Sequence, residues 1–367
     1  MSMDTLKQTK IWKIRLTSIL WFTLGVLFLI SLPLVLNISV WLFPLLIVIA
    51  LIFACLVFVI RKLFKHEWSF ATFIKSTIFF GFLLTILCAM PILYFAILTQ
   101  LHPTLIPQVT LTNGKKTVIF QGMQHVGSEE FYKSVVYDLE DALSRDYVLL
   151  YEGVKPGTPE SEKWFNAMFA QGKNLAEGYQ LMGKTCGLKF QGSYFQLFSK
   201  DMAEQKDRFI NADVSTLQIK QRYDELVRSD PAFAQAMQQR QHKKEESSEN
   251  SVLNSMINGI AQGNEKQQFI TGILCRGVMT MSMNQDKKDK KDEMDKLVLN
   301  YRNEALANSI MQQPNSKIFI TYGNAHLPGT YQILKEKDPN WKIASVKWIR
   351  TIDTPKEYQK ELDLLEE

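Results

Sequence analysis

Histidine and cysteine are scarce in this chain: five histidines and four cysteines stand among 367 residues. The cysteines lie at positions 55, 88, 186 and 275, so no C-x-x-C pair exists, and the compact zinc modules built on such pairs are excluded. Cys55 and Cys88 fall inside apolar runs and read as small apolar residues. Cys186 and Cys275 come later, where an oxidising compartment would permit a disulfide. A second lack is local. No Asp, Glu, Lys or Arg occurs in residues 16–36, 40–60 or 76–99. A helix needs roughly 20 apolar residues to cross about 30 Å of hydrocarbon, so three transmembrane helices are expected in the first hundred residues. The same absence argues against a transporter or channel, because ionisable residues within spans usually mark an ion or substrate path. The first run exceeds the ~7–15 residues of a signal-peptide core and no A-x-A-like site follows it, so it reads as a retained span.

The formal charge of +5 does not mark a nucleic-acid binder. Residues 1–100 carry eight basic residues (Lys7, Lys10, Lys13, Arg15, Arg61, Lys62, Lys65, Lys75) against Asp4 and Glu67, and the remainder is nearly neutral. The basic residues flank the spans: four precede the first, four lie between the second and third, and none lies in the short connection between the first and second. Basic flanks stay cytoplasmic. Both basic segments then face the cytoplasm, and the third span delivers everything after Gln100 to the other side. An integral membrane protein of the plasma or inner membrane is expected, with a cytoplasmic N-terminus, an extracytoplasmic C-terminal domain and the lipid bilayer as its first partner.

Beyond the spans, "LHPTLIPQ" reads as a stiff linker (residues 101–108). Asn113-Gly114 between two alternating runs reads as a type I′ hairpin turn. "SEEFYKSVVYDLEDAL" is a helix with Ser128 as N-cap, and "DYVLLYEGV" a buried strand, giving a βαβ unit with parallel strands. "RFINADVS" reads as a short strand ending in Asp213. Residues 159–182, 216–240, 251–282 and 294–313 read as helices, "DKKDKKDEMDK" as a solvated helix face or mobile loop, and "SKIFITYGNAH", "PGTYQILKEK" and "WKIASVKWI" as strand, helix and strand. The expected class is α/β, with an α+β-like mixed sheet and a large helical insertion, preceded by three transmembrane helices: a membrane domain at 1–100, the linker, an α/β domain at 109–350 and a tail at 351–367.

Two of the five histidines stand in the same pattern. "GMQH" (122–125) and "GNAH" (323–326) each follow an apolar strand and precede a helix. Strand ends of a parallel sheet converge on one edge, where ligands bind. If the strands are neighbours, His125, His326, Glu152 and Asp213 share that rim. Gly122 and Gly323 allow tight exits, and Gly329 opens the following helix with N–H groups free for an anion. Arg302 and Asn303 are polar residues in an amphipathic helix. His66, His102 and His242 lie in loops or the linker and are weaker candidates.

These motifs, "GMQHVGSEEFY", "YEGVKP", "RNEALANSI" and "YGNAHLPG", resemble in order those of the TraB/Tiki superfamily, which includes the GumN-like proteins. The resemblance covers roughly residues 108–348 and leaves out the three spans. It implies paired G-x-x-H motifs at Gly122–His125 and Gly323–His326, an acidic residue at Glu152, and an Arg-Asn pair at Arg302–Asn303. It also implies metal-dependent proteolysis outside the cell. Met123 stands where the family usually has threonine, and Glu152 is followed by Gly-Val rather than a second acid.

Two chemistries suit the residues. In one, His125, His326 and a carboxylate (Glu152, Asp213) hold a divalent metal, Mn, Co, Zn or Fe, that acidifies bound water; Glu152 is ligand or general base, Arg302 stabilises an oxyanion or holds a substrate carboxylate, and Asn303 supports the site. In the other, a His–carboxylate pair activates water without metal. The expected substrate is a peptide or ester, and no nucleic acid. The alternative is a non-enzymatic membrane regulator that binds a peptide or protein through the same domain.

Overall fold

The computed structural model describes residues 3–64, 69–169, 175–246, 263–284 and 292–353. The chain divides into two compact units, Met1–Leu98 with Gly259–Val278, and Thr99–Asn258 with Met279–Glu367.

The first unit is built on α1 (Met3–Ile38), α2 (Leu42–Leu63) and α3 (Phe70–Leu101). Each contains a long charge-free run, over which a helix satisfies every backbone group internally. The segments Ile11–Ile38, Leu42–Leu63 and Phe70–Leu101 are long and apolar enough to cross a membrane, with mean hydropathies of 2.5, 3.3 and 2.3. Small residues let the helices approach: Ala89 is buried with Val35 and Leu46, and Phe28 stacks on Phe82 at 4.3 Å. The N-terminal part of the helix Glu265–Asn284 joins this unit, burying Ile270 and Ile273 against Ile92.

The second unit is a mixed sheet between helices. Its strands are β1 (Leu105–Thr112), β2 (Thr117–Met123), β4 (Val148–Tyr151), β6 (Phe209–Asn211), β7 (Lys317–Gly323) and β8 (Lys342–Arg350), in spatial order β6-β4-β7-β2-β1-β8. A short ladder of β3 (Val126–Gly127) and β5 (Lys189–Phe190) stands apart. β6, β4, β7 and β2 run parallel, and β1 is antiparallel to both β2 and β8. The last parallel strand in the chain, β7, slots between β2 and β4.

Alternation explains the layers. Ile318, Ile320 and Tyr322 of β7 face a core with Leu306, Ala307 and Ile310 of the helix Tyr301–Gln312 and Leu334 of the helix Leu327–Lys337. Phe319 faces the other way, against Leu139 and Ala142 of α4 (Glu129–Ser144). α4 begins as expected, with the Ser128 hydroxyl accepting from the Phe131 N–H at 3.2 Å.

Several local expectations are corrected. The 101–108 linker is shorter, since α3 reaches Leu101 and β1 starts at Leu105. Pro107 fits because the β1–β2 ladder begins one residue later, at Gln108. The Asn113-Gly114 turn is not type I′: Gly114 has φ +84° but Asn113 is not left-handed. Instead the Asn113 side chain accepts from the N–H groups of Lys115 and Lys116. The helix expected over 216–240 breaks at Pro231 into Thr216–Ser229 and Pro231–Glu246. The charged stretch 286–296 lies partly outside the described residues, and its last residue opens a π-helical turn, Lys296–Asn300.

Candidate functional site

Three adjacent parallel strands, β4, β7 and β2, end side by side. Met123 pairs with Gly323, and Tyr151 with Thr321. The chain then leaves the sheet at Glu152, whose N–H still donates to the Thr321 carbonyl at 3.0 Å. β6 ends beside β4, and Asp213 follows it by two residues. The side chain of Asn211 bridges the two exits, donating to the Gly153 carbonyl at 2.7 Å and accepting from the Asp213 N–H at 3.0 Å.

Arg302 is the hub. Its Nη2 lies 2.6 Å from Glu152 Oε1 and 2.6 Å from Asp213 Oδ2, while Nε donates to Asp213 Oδ1 at 2.9 Å. Far from lying on a solvent face of its helix, Arg302 is buried, and so is Asn303. The Asp213 side chain is fully enclosed and also accepts from the N–H groups of Val214 and Gly153. Glu152 keeps 18% of its side chain exposed, and its Oε2 accepts from the Gly323 N–H at 2.6 Å. Burial by itself would raise the Asp213 carboxyl. The hydrogen bonds and charge of Arg302 outweigh that and hold it below the usual carboxylate range. Burial would likewise weaken the Arg302 cation, but Asp213 and Glu152 more than restore it. One guanidinium against two carboxylates leaves the rim with one net negative charge.

The two imidazoles follow the two strands on one side of Glu152, His326 after the adjacent β7 and His125 after β2. His326, buried in a 3₁₀ turn after Gly323, has Nδ1 2.7 Å from Asn303 Oδ1. Asn303 offers an acceptor, so Nδ1 carries the proton and Nε2 keeps its lone pair. Desolvation, helped by the positive charge of Arg302, pushes His326 down to about 4. His125 has Nδ1 2.8 Å from Gln191 Nε2 and its ring stacked on Tyr179 at 4.1 Å. Burial lowers its proton affinity too, partly opposed by the charge of Glu152. Both rings therefore feel Glu152, and both are neutral at pH 7.

The glycines have separate jobs. A Cβ on Gly122 would lie 2.6 Å from Ile106 Cγ2 and 2.7 Å from Asn324 Oδ1, so the first motif is pressed against the second. A Cβ on Gly329 would meet Asn303 Nδ2 at 2.1 Å; its lack of a side chain makes room for Asn303 against the helix. Met123 is buried against Phe131, Tyr132 and Val135.

Three neighbours escape a reading of the motifs. Gln191 and Tyr179 support His125, yet they lie 66 and 54 residues away in sequence and are brought near by the two-residue β3–β5 ladder. Tyr322 places its ring 5.5 Å from the Arg302 guanidinium and edge-on to His326 at 4.7 Å. Among the described residues its buried hydroxyl has no ordinary hydrogen-bond partner, though it is close enough to Asp213 to help hold that carboxyl down. Strand alternation in "IFITYG" was the available signal for Tyr322.

A divalent ion suits these donors in kind. Each ring has Nδ1 tied to a side-chain amide, the arrangement that orients ligating histidines. A half-turn of the Gln191 amide would present its oxygen to His125 and leave Nε2 as the donor atom there too. As placed, no three His, Cys, Asp or Glu side chains among the described residues stand close enough together to hold an ion. No family model, curated protein or solved structure matches the chain.

Proposed function

We propose that the chain is a membrane-anchored hydrolase of TraB/Tiki type that cleaves a peptide or ester bond outside the cytoplasm. The observation that carries the reading is the rim on which Arg302 ties Glu152 to Asp213 while both imidazoles lie within reach of the Glu152 charge. The basic flanks of the spans support the orientation. Cys186 in the sheet-bearing unit is disulfide-bonded, a state that an oxidising compartment maintains.

His125, His326 and Glu152 are the residues that would hold a divalent ion, which when bound supplies an acidified water and polarises a carbonyl. At about 4, His326 is poorly suited to carry a proton at neutral pH and well suited to lend its Nε2 lone pair. Glu152, the more exposed carboxylate, is the ion's carboxylate ligand or, in a route without metal, the base that takes a proton from water. Arg302 spends Nε and Nη2 on the carboxylates, which fixes Glu152; its Nη1 is assigned to the developing oxyanion. Asp213 holds Arg302, and Asn303 holds His326 in one tautomer.

The second reading is a non-catalytic regulator that binds a peptide or protein. One observation favours it: both oxygens of Glu152 and of Asp213 already accept from protein donors. The full-length chain in nanodiscs separates the two. Bound metal is measured, and cleavage of fluorogenic peptides and esters is followed, for wild type, His125→Ala and His326→Ala. Stoichiometric metal and turnover, both lost in the variants, are expected. Metal content that is the same in all three would remove the metal site. Peptide binding that survives chelation without turnover would favour the regulator.

A further inference from the structure

The first unit holds an apolar cavity of about 330 Å³. Its walls come from the end of α1 (Ile38), from α3 around its internal proline (Cys88, Pro91, Ile92) and from the helix Glu265–Asn284 (Ile270, Leu274). The same two helices, α3 and Glu265–Asn284, approach closely elsewhere: a Cβ on Gly277 would lie 2.2 Å from Phe95 Cβ. The cavity is therefore a local parting of surfaces that meet tightly at Gly277.

The polar groups on the lining are already satisfied. Gln267 Nε2 donates to the Ile38 carbonyl at 2.9 Å, and its Oε1 accepts from the Asn264 N–H at 3.1 Å. The Thr271 hydroxyl donates to the Gln267 carbonyl at 2.8 Å. Among the described residues, no carboxylate, amine or guanidinium lines the space. A cavity with no polar partner to offer stays dry and takes apolar guests; a space of ~150 Å³ suffices for benzene, and this one is about twice that.

The surroundings identify the guest. On α3, the residues that alternate with the lining are exposed and apolar: Leu87, Met90 and Tyr94 are 49%, 50% and 53% exposed. In a helix long and apolar enough to span a bilayer, such a surface faces hydrocarbon. What stands at the cavity is thus lipid chain rather than water. The geometry points to a binding site for a single acyl chain of a membrane lipid, held between α1, α3 and the helix Glu265–Asn284. This inference depends on insertion of the spans and on the helix Glu265–Asn284 dipping beside α3 to the depth of the acyl chains, and it is independent of any hydrolytic activity.

The test uses the full-length protein in nanodiscs of phosphatidylcholine and phosphatidylglycerol carrying a photoreactive diazirine in the acyl chain. Cross-links are mapped by peptide mass spectrometry. Ile270 and Leu274 face the cavity, whereas Phe269 and Val278 of the same helix are exposed. The site predicts cross-links at Ile270, Leu274 and Ile92 that persist after transfer of the protein to detergent. Thr271→Trp, which fills the space, should abolish them while leaving labelling of the lipid-facing Leu87 and Met90 unchanged. That unchanged labelling reports that the variant is folded. Should the variant fail to insert, the wild-type pattern decides alone. Cross-links confined to Phe269, Val278, Leu87 and Met90, with none at Ile270 or Leu274, would overturn the proposal, as would cavity labelling that Thr271→Trp leaves intact.

Discussion

The two Gly-x-x-His segments look alike in sequence and behave differently in the fold. The first leaves β2 and enters the short ladder of β3 with β5, so its histidine is held from outside the motif by Gln191 and Tyr179. The second leaves β7 and winds into a 3₁₀ turn and helix, so its histidine is buried and held by Asn303 from the packed helix behind it. Their glycines differ too. Gly122 has no room for a side chain, while a Cβ on Gly323 would find its nearest atoms at 3.2 and 3.3 Å. A repeated pattern can thus mark convergence on one rim without marking equal mechanical roles. The second motif belongs to the core; the first leans on it through Asn324.

Removing the charge that joins the two halves of the rim should have the largest effect. Arg302→Met leaves Asp213 enclosed without its counter-ion, and breaking such a buried pair typically costs about 3–5 kcal/mol. Urea unfolding of the full chain in detergent measures it, and a loss under ~1 kcal/mol would mean the carboxylates do not depend on Arg302.

Next comes pH. His326 is depressed in the folded protein, so the unfolded chain binds more protons, and stability falls as pH drops from about 6.5 towards about 4, levelling below it. The contribution is on the order of 3 kcal/mol. His326→Gln should flatten that slope in pH-dependent denaturation. His125→Gln should flatten it less, since burial displaces that ring less far from its ordinary value. Equal effects would erase the distinction between the motifs.

Gly122→Ala should destabilise by about 1–3 kcal/mol through overpacking against Ile106, and Gly323→Ala by less than about 1 kcal/mol. Reversal of that order, read from the midpoints of thermal melts, would count against the placement of β2 beside the second motif.

The smallest contrast is between the amides. Asn303→Leu strands a buried Nδ1–H at a cost of about 1–3 kcal/mol, whereas Gln191→Leu, at a half-buried site, should cost about 0.5–1.5 kcal/mol. Nitrogen-detected imidazole spectra test the matter independently of stability: the His326 tautomer should change only in the first variant and the His125 tautomer only in the second.

Much of this arrangement was legible. The three long apolar helices, the capped helix at Ser128 and the strand before each histidine follow from charge-free length, cap chemistry and alternation, all local signals. The expectation that neighbouring strands would gather His125, Glu152, Asp213 and His326 needed only the parallel order of β6, β4, β7 and β2. Residues that depend on distant chain were not legible. Gln191 reaches His125 through a ladder of two residues, too short to carry a periodic signal. Arg302 and Asn303 sit in a helix whose pattern allows a solvent face, and only packing against the sheet buries them. The Asn113-Gly114 turn misled because an asparagine side chain can close a turn without adopting left-handed backbone.

The position of β7 also bears on how the molecule comes into being. Its partner β2 precedes it by 200 residues, Thr117 pairing with Lys317, and its other neighbour β4 precedes it by 170, Val148 pairing with Ile318. Pairings so distant in sequence form late and slowly. A chain still emerging from synthesis has β2 and β4 but nothing between them, and neither His326 nor the Gly323 N–H that seats Glu152. No partly made molecule carries a finished rim, so the site is complete only once almost the whole chain has been made.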